Sequence, residues 1–226
     1  MQRYSGTLGA LMRDEENGHL YALSNNHVFG DCNHMPIGMP IMSPSNKDAG
    51  PQLPAPREIA RFLRMHELRS GNPFLVRAVN VDAALGEVTD EDVVSSWQGN
   101  EHDGYDTPTT IVEPYPGMRV KKFGRTTGLT KGTIRTFVRD PMAVPYQSTH
   151  FWATVWFRHV WAVAADEGEM FAAAGDSGSL VVTEDGAAAV GLIFAASPNG
   201  VFGWISPLTD VVAKLKGIAL VGNHGV

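Results

Sequence analysis

The 226-residue chain contains a single cysteine, Cys32. No intramolecular disulfide can form, so the fold must be held by its core alone. A protein of this size that needs no disulfide fits a reducing compartment, and the expected location is cytoplasmic. Long apolar runs are also missing, and nothing approaches the ~20 residues that cross a bilayer. The opening stretch MQRYSGTLGALMRDEENG has no charged start followed by an apolar core, so it does not read as a signal peptide, and no membrane partner is expected. Basic charge is scarce: 18 Lys and Arg stand against 24 Asp and Glu, a net charge of −6. Without a basic stripe, nucleic acid is not an expected partner. The local group Lys121, Lys122, Arg125 and Lys131 reads as a solvated strand-and-turn face. There is no internal repeat and no His-Glu-x-x-His pair, and the lone Cys32-x-His34 spacing does not make a zinc site. No metal or cofactor is expected.

What the chain does have is turn residues, 24 Gly and 14 Pro, with 43% apolar content. That combination favours many short strands around a full core. SGTLGALMRDEENGHLYALSNNHV reads as a hairpin with His27 at the end of its second strand. REIARFLRMHEL reads as a strand, and FLVRAVNVDAALGEV is strand-like up to Asp82. The polar, turn-rich residues 95–116 read as a linker between an N-terminal half, 1–94, and a C-terminal half, 117–226. In the second half Asp185-Gly186 marks a hairpin turn. SPLTDVVAKLKGIALV predicts a terminal helix capped by Ser206, with Pro207 in its first turn. Val211, Val212, Leu215 and Ile218 share its apolar face.

Between two apolar runs lies GDSGS, residues 175–179. One reading is an ordinary turn; the other is a nucleophilic serine, Ser177, on a tight loop. A serine nucleophile needs a base, and the base needs an orienting carboxylate. His19, His34, His102, His150, His159 and His224 have plain explanations in turns, the linker, an aromatic strand or the tail. His27 places an imidazole where a strand leaves the core. Asp82 puts an acid inside VNVDAAL, where burial would demand a partner. Each also reads alone as structural. The order histidine, acid, serine excludes an α/β-hydrolase, which runs serine, acid, histidine.

Those three segments, taken together, resemble the chymotrypsin/trypsin-like serine peptidases. LSNNHV is similar to that family's histidine motif, NVDAAL to its acid segment, GDSGS to its G-D-S-G-G, and NGVFGWISPL to its closing strand and helix. FGRTTGLTKGTI and the LSNNHV form bring it nearest to intracellular bacterial and plant trypsin-like members. The resemblance implies an all-β fold of two six-stranded antiparallel β-barrels with a C-terminal α-helix. It also implies peptide-bond hydrolysis by Ser177, His27 and Asp82, with a polypeptide as partner and the backbone N–H groups of Gly175 and Ser177 as the oxyanion hole. The primary specificity pocket would have Phe171, six residues before the serine, at its base. Its walls would come from Ala195, Ala196, Ser197 and Gly200, favouring small or medium apolar side chains. The nearby Asp166, Glu167 and Glu169 read as a solvated loop. In the family the acid before the serine pairs with a freed N-terminal amine. No Ile/Val-Val-Gly-Gly start precedes His27 here, so local partners are expected for Asp176. Phe194 stands where many relatives carry a serine bonded to the catalytic acid, and Asn25-Asn26 replace two alanines. Cys32 reads as a small buried bystander. The rival reading is a catalytically silent binding module on the same fold.

Overall fold

Short alternating segments bounded by glycine and proline cannot build long helices, and the computed structural model contains sixteen strands, two short α-helices and one 3-10 turn (Glu91–Val93) among its described residues, 5–50, 54–73, 79–148 and 152–226. In the first half, β1 (Ala10–Asp14) and β2 (Leu20–Ser24) lead into a single helical turn, α1 (Asn26–Phe29). Then come β3 (Pro40–Ser43), β4 (Arg57–Met65) and β5 (Ala84–Val88). A small hairpin of β6 (Trp97–Gly99) and β7 (Gly104–Asp106) occupies the connecting segment. The second half contains β8 (Arg119–Gly124), β9 (Gly128–Val138), β10 (Met142–Gln147), β11 (Trp152–Phe157) and β12 (Val160–Ala165). It continues through β13 (Leu180–Thr183), β14 (Ala189–Ala196), β15 (Phe202–Pro207), α2 (Leu208–Leu215) and β16 (Ile218–Val221).

The pairing makes two six-stranded antiparallel units. The first is a sheet of order β16-β1-β2-β5-β4-β3; the second is a closed barrel, β12-β15-β14-β13-β8-β9. The hairpin β10–β11 is inserted between two barrel strands and forms its own two-stranded sheet. One apolar core joins the halves: Met12, Leu23, Val81 and Leu85 pack with Leu180, Leu192, Leu208 and Val211. The barrel has its own core around Val120, Ile134, Phe171 and Ile205. No helix among the described residues is long and apolar enough to cross a membrane.

Four local readings change. His27 does not end a strand: β2 stops at Ser24, and Phe29 N–H donates to Asn25 O (2.9 Å), closing the turn that carries His27. Asp82 also lies outside a strand. Ala83 N–H donates to Val81 O (3.1 Å), pinching the chain into a three-residue turn at Asp82 before β5 begins. The part of that reading over residues 74–78 lies outside the described residues, as does His150. The segment expected as a linker is tied down, because Tyr105 is buried and its hydroxyl donates to Leu180 O (2.7 Å). The terminal helix begins one residue late, after Pro207, and ends at Leu215. Lys216 and Gly217 adopt positive φ (54° and 63°), which turns the chain out of the helix. Ile218 therefore sits in β16, whose Ile218 and Leu220 are buried against the first half.

Candidate active site

The serine turn follows Met170 and enters β13 at Leu180. Gly175 and Gly178 have φ of +106° and +94°, conformations that other residues rarely adopt. Space forbids side chains as well. A Cβ on Gly178 would overlap the Ser24 hydroxyl and Thr7 O, and one on Gly175 would overlap Thr126. Thr7 clasps the turn from the first half: its N–H donates to Ser177 O (2.8 Å) and its hydroxyl to Gly175 O (3.0 Å). Inside the turn, Asp176 N–H donates to Ala173 O (3.0 Å) and Ser179 N–H to Asp176 O (2.9 Å). Gly175 and Ser177, the expected oxyanion donors, thus flank a residue whose own N–H is used within the turn.

Asp176 is fully buried. Its carboxylate accepts from Ala173 N–H (2.9 Å), Thr126 N–H (2.8 Å), the Thr127 hydroxyl (2.7 Å) and Lys122 Nζ (3.3 Å). The Lys122 ammonium also donates to the Thr127 hydroxyl. Burial pushes the Asp176 carboxyl up, but the Lys122 charge and these donors outweigh it and hold it below the usual carboxylate value. Burial pulls Lys122 down, against the opposing charge of Asp176. Lys122 is therefore not part of a solvated face. It is in phase with Val120 on the inward side of β8 and is completely buried. The alternation in MRVKKFG was the signal for this, and the charge of the residue masked it. The other basic residues of that group are exposed or partly exposed: Arg125 pairs with Asp48 and Lys131 with Glu184.

The histidine and the first-half acid meet directly. His27 Nδ1 lies 2.5 Å from Asp82 Oδ2, and His27 N–H donates to Asp82 Oδ1 (3.1 Å). Both side chains are buried, Asp82 to 1% exposure. A carboxylate only accepts, so Nδ1 carries the proton. Asn25 Nδ2 donates to Asp82 O (2.6 Å), and Asn26 Nδ2 donates to His66 O (2.8 Å) and to Asn33 Oδ1 (2.7 Å). The two asparagines that replace alanines thus stitch the histidine turn to the acid segment and to the loop after it. A third donor to Asp82, missed from sequence, is Tyr146 on β10, whose hydroxyl lies 2.6 Å from Oδ2. Cys32 is free and fully buried, and burial, then the charges of Asp82 and Asp31, pushes its thiol up, which leaves it inert.

His27 and Ser177 line one cleft of about 380 Å³. The other walls are Val144, Pro145 and Tyr146 on one side, and Met170, Ala173, Ile193, Ala195, Ala196, Ser197 and Gly200 on the other. Phe171 is not among them. Its ring is fully buried in the barrel core, packed where Cβ atoms on Gly132 or Gly203 would have to go. Met170 lines the cleft instead and is half-exposed. Asp166 is turned away, ion-paired with Arg119, and neither it nor Glu167 nor Glu169 lines the cleft. Among the described residues no group of three or more His, Cys, Asp or Glu side chains could hold a metal ion.

No protein-family model matches the chain, and no curated protein sequence does. Solved structures do. Thermobifida fusca protease A superposes with a TM-score of 0.62 at 18% identity, over 98% of this chain and 94% of that one. Nocardiopsis protease gives 0.63 at 15% identity, over 97% and 94%. Cellulomonas bogoriensis chymotrypsin gives 0.58 at 16% identity, over 94% and 88%. The fold is that of the chymotrypsin-like serine proteases. At these identities the fold is what is shared. Within the chymotrypsin-like fold, the cleft lies where the histidine turn and acid segment of the first half face the GDSGS turn and the β10–β11 hairpin of the second.

Proposed function

We propose that this protein is a serine endopeptidase that hydrolyses polypeptides through an acyl-enzyme, without metal or cofactor. The observation that carries the reading is the 2.5 Å His27–Asp82 bond beside a serine on the same cleft. With Nδ1 committed to Asp82, Nε2 is the nitrogen that accepts the Ser177 proton as Oγ bonds to the scissile carbonyl carbon. The oxyanion is received by the N–H groups of Gly175 and Ser177, each such donor being worth about a hundred- to a thousandfold in rate. The imidazolium, stabilised by Asp82, then gives its proton to the leaving amine as the C–N bond breaks. Water repeats the sequence on the ester and frees Ser177. The cleft walls are mostly apolar and carry no carboxylate among the described residues, which favours a small or medium apolar side chain before the cut. The free, buried Cys32 supports a reducing, cytoplasmic location.

Labelling with an active-site serine phosphonate tests the reading. One phosphonyl group is expected on Ser177 of the wild type and none on Ser177→Ala, which should also lose all peptide hydrolysis while keeping its fold. A well-folded wild type that neither labels nor cleaves peptides is a silent binding module instead.

A further inference from the structure

We infer that Tyr146 is a positioning residue for the reaction, supplying from the second half the hydrogen bond that fixes the acid of the first. The inference rests on the triad reading above. Phe194, also on the cleft, carries no hydroxyl that could serve the acid. Phe194 instead packs against Phe157, with ring centroids 4.6 Å apart. Phe157 packs on Tyr146 (6.1 Å), and the Tyr146 ring lies against the His27 imidazole (5.3 Å). This row of rings brings the phenol, 3% exposed, to Asp82. A buried hydroxyl without a partner is costly, and a phenylalanine would pack equally well. The hydroxyl is satisfied at 2.6 Å by Oδ2, the same oxygen that holds His27 Nδ1.

The hairpin partner of the strand carrying Tyr146, β11, is strapped to the first half. Asn80, two residues before Asp82, donates through Nδ2 to Trp156 O on β11 (2.9 Å), and Ser70 bridges Val155. Val144, Pro145 and Tyr146 also form one wall of the cleft. The same strand therefore meets substrate and holds the acid. Of the titratable groups near the acid, Cys32 feels its charge: burial, then the charges of Asp82 and Asp31, pushes the Cys32 thiol up, so it stays neutral in the working range.

Each donor to Oδ2 draws charge from the carboxylate, so losing one makes Asp82 hold an imidazolium more strongly. Tyr146→Phe keeps the ring and removes the donor. Its kcat is expected to fall on the order of tenfold, with KM retained and the acid limb of kcat/KM moved to higher pH. Fluorotyrosines at position 146 keep the shape, strengthen the donor and should move the limb to lower pH. They also serve if Tyr146→Phe fails to fold. An active wild type whose kcat and acid limb stay unmoved across these variants overturns the inference and leaves the triad standing. A wild type with neither phosphonate labelling nor hydrolysis overturns the triad reading itself.

Discussion

Asp176 and Asp82 are both buried acids beside one cleft, and they are held in opposite ways. Every donor to the Asp176 carboxylate comes from the second half, and one of them, Lys122, is a lysine ammonium. The donors to Asp82 come from both halves, and none is a lysine or an arginine: His27 N–H, His27 Nδ1 and the Tyr146 hydroxyl. The difference follows from what each acid is asked to do. Asp176 only shapes a turn, and its counter-charge keeps a buried carboxylate from being left uncompensated. Asp82 faces a ring that gains a positive charge during the proposed reaction. A resident cation there would oppose the imidazolium, whereas these donors orient the carboxylate and leave its charge for His27.

The largest expected effect sharpens the Asp82 side. Asp82→Asn keeps the shape but presents an amide where a carboxylate received Nδ1–H, so the imidazole loses its tautomer. On the peptidase reading, kcat is expected to drop on the order of 10⁴-fold with little change in thermal stability. A loss under tenfold would show that the charge of Asp82 is not used.

Next comes the Asp176 side, where stability should move more than rate. Lys122→Met removes the cation and strands a buried carboxylate, a change that typically costs about 3–5 kcal/mol. Denaturant unfolding of Lys122→Met, and of Lys122→Met combined with Asp176→Asn, is the measurement. The double variant should be the more stable of the two, because it removes the stranded charge. If the single variant unfolds like wild type, the ion pair is not what holds the turn.

A smaller effect comes from pH. The carboxyl of Asp176 is held below its ordinary value of 3.8 by Lys122 and its hydrogen-bond donors, against burial. A lowered acid contributes stability that is fully present above the unfolded value and is lost as pH falls through the folded one. The stability difference between wild type and Asp176→Asn should thus be flat above about pH 5 and shrink below 3.8. The slope is at most about 1.4 kcal/mol per pH unit for one proton. A difference that stays constant down to pH 2 would assign acid sensitivity to other carboxylates.

The same contrast explains what the sequence discloses. Chain-local signals read well. The Asp185-Gly186 turn joins β13 and β14, with Gly186 at φ +81°, because two adjacent residues suffice to specify it. Lys122 is half-legible: its phase with Val120 says inward while its charge says outward, and only the distant Asp176 settles the conflict. Ile218 continues the helical period of α2, but the positive φ of Lys216 and Gly217 ends the helix first. Tyr146 is illegible from sequence, since its bond to Asp82 spans 64 residues and crosses between the halves. Counting six residues back from Ser177 finds Phe171 yet says nothing of which way its ring turns; the ring fills the barrel, and its neighbour Met170 meets the cleft.

That last difference yields the smallest expected effect and contrasts the two walls of the cleft. The hairpin wall, Val144 to Tyr146, crosses toward the acid, and the opposite wall, with Met170, Ala195, Ala196 and Gly200, belongs to the serine's own barrel. Met170 packs closely on Gly200, where an added Cβ would lie 2.8 Å from its sulfur, so its side chain limits the space on that wall. Met170→Ala should enlarge the cleft and move the preferred residue before the cut from Ala, Val or Leu toward Leu, Met or Phe. The change in discrimination should be modest, about 1–3 kcal/mol, because one or two methylenes in an apolar pocket are worth no more. Phe171→Ala, by contrast, should lower stability and leave the profile unchanged. A peptide library cleaved by both variants reads the outcome. A profile that shifts with Phe171→Ala and not with Met170→Ala would return the pocket base to Phe171. Strong wild-type cleavage after Arg or Lys would mean that Asp166, Glu167 or Glu169 reaches the cleft, with Asp166 released from Arg119 if it is the one.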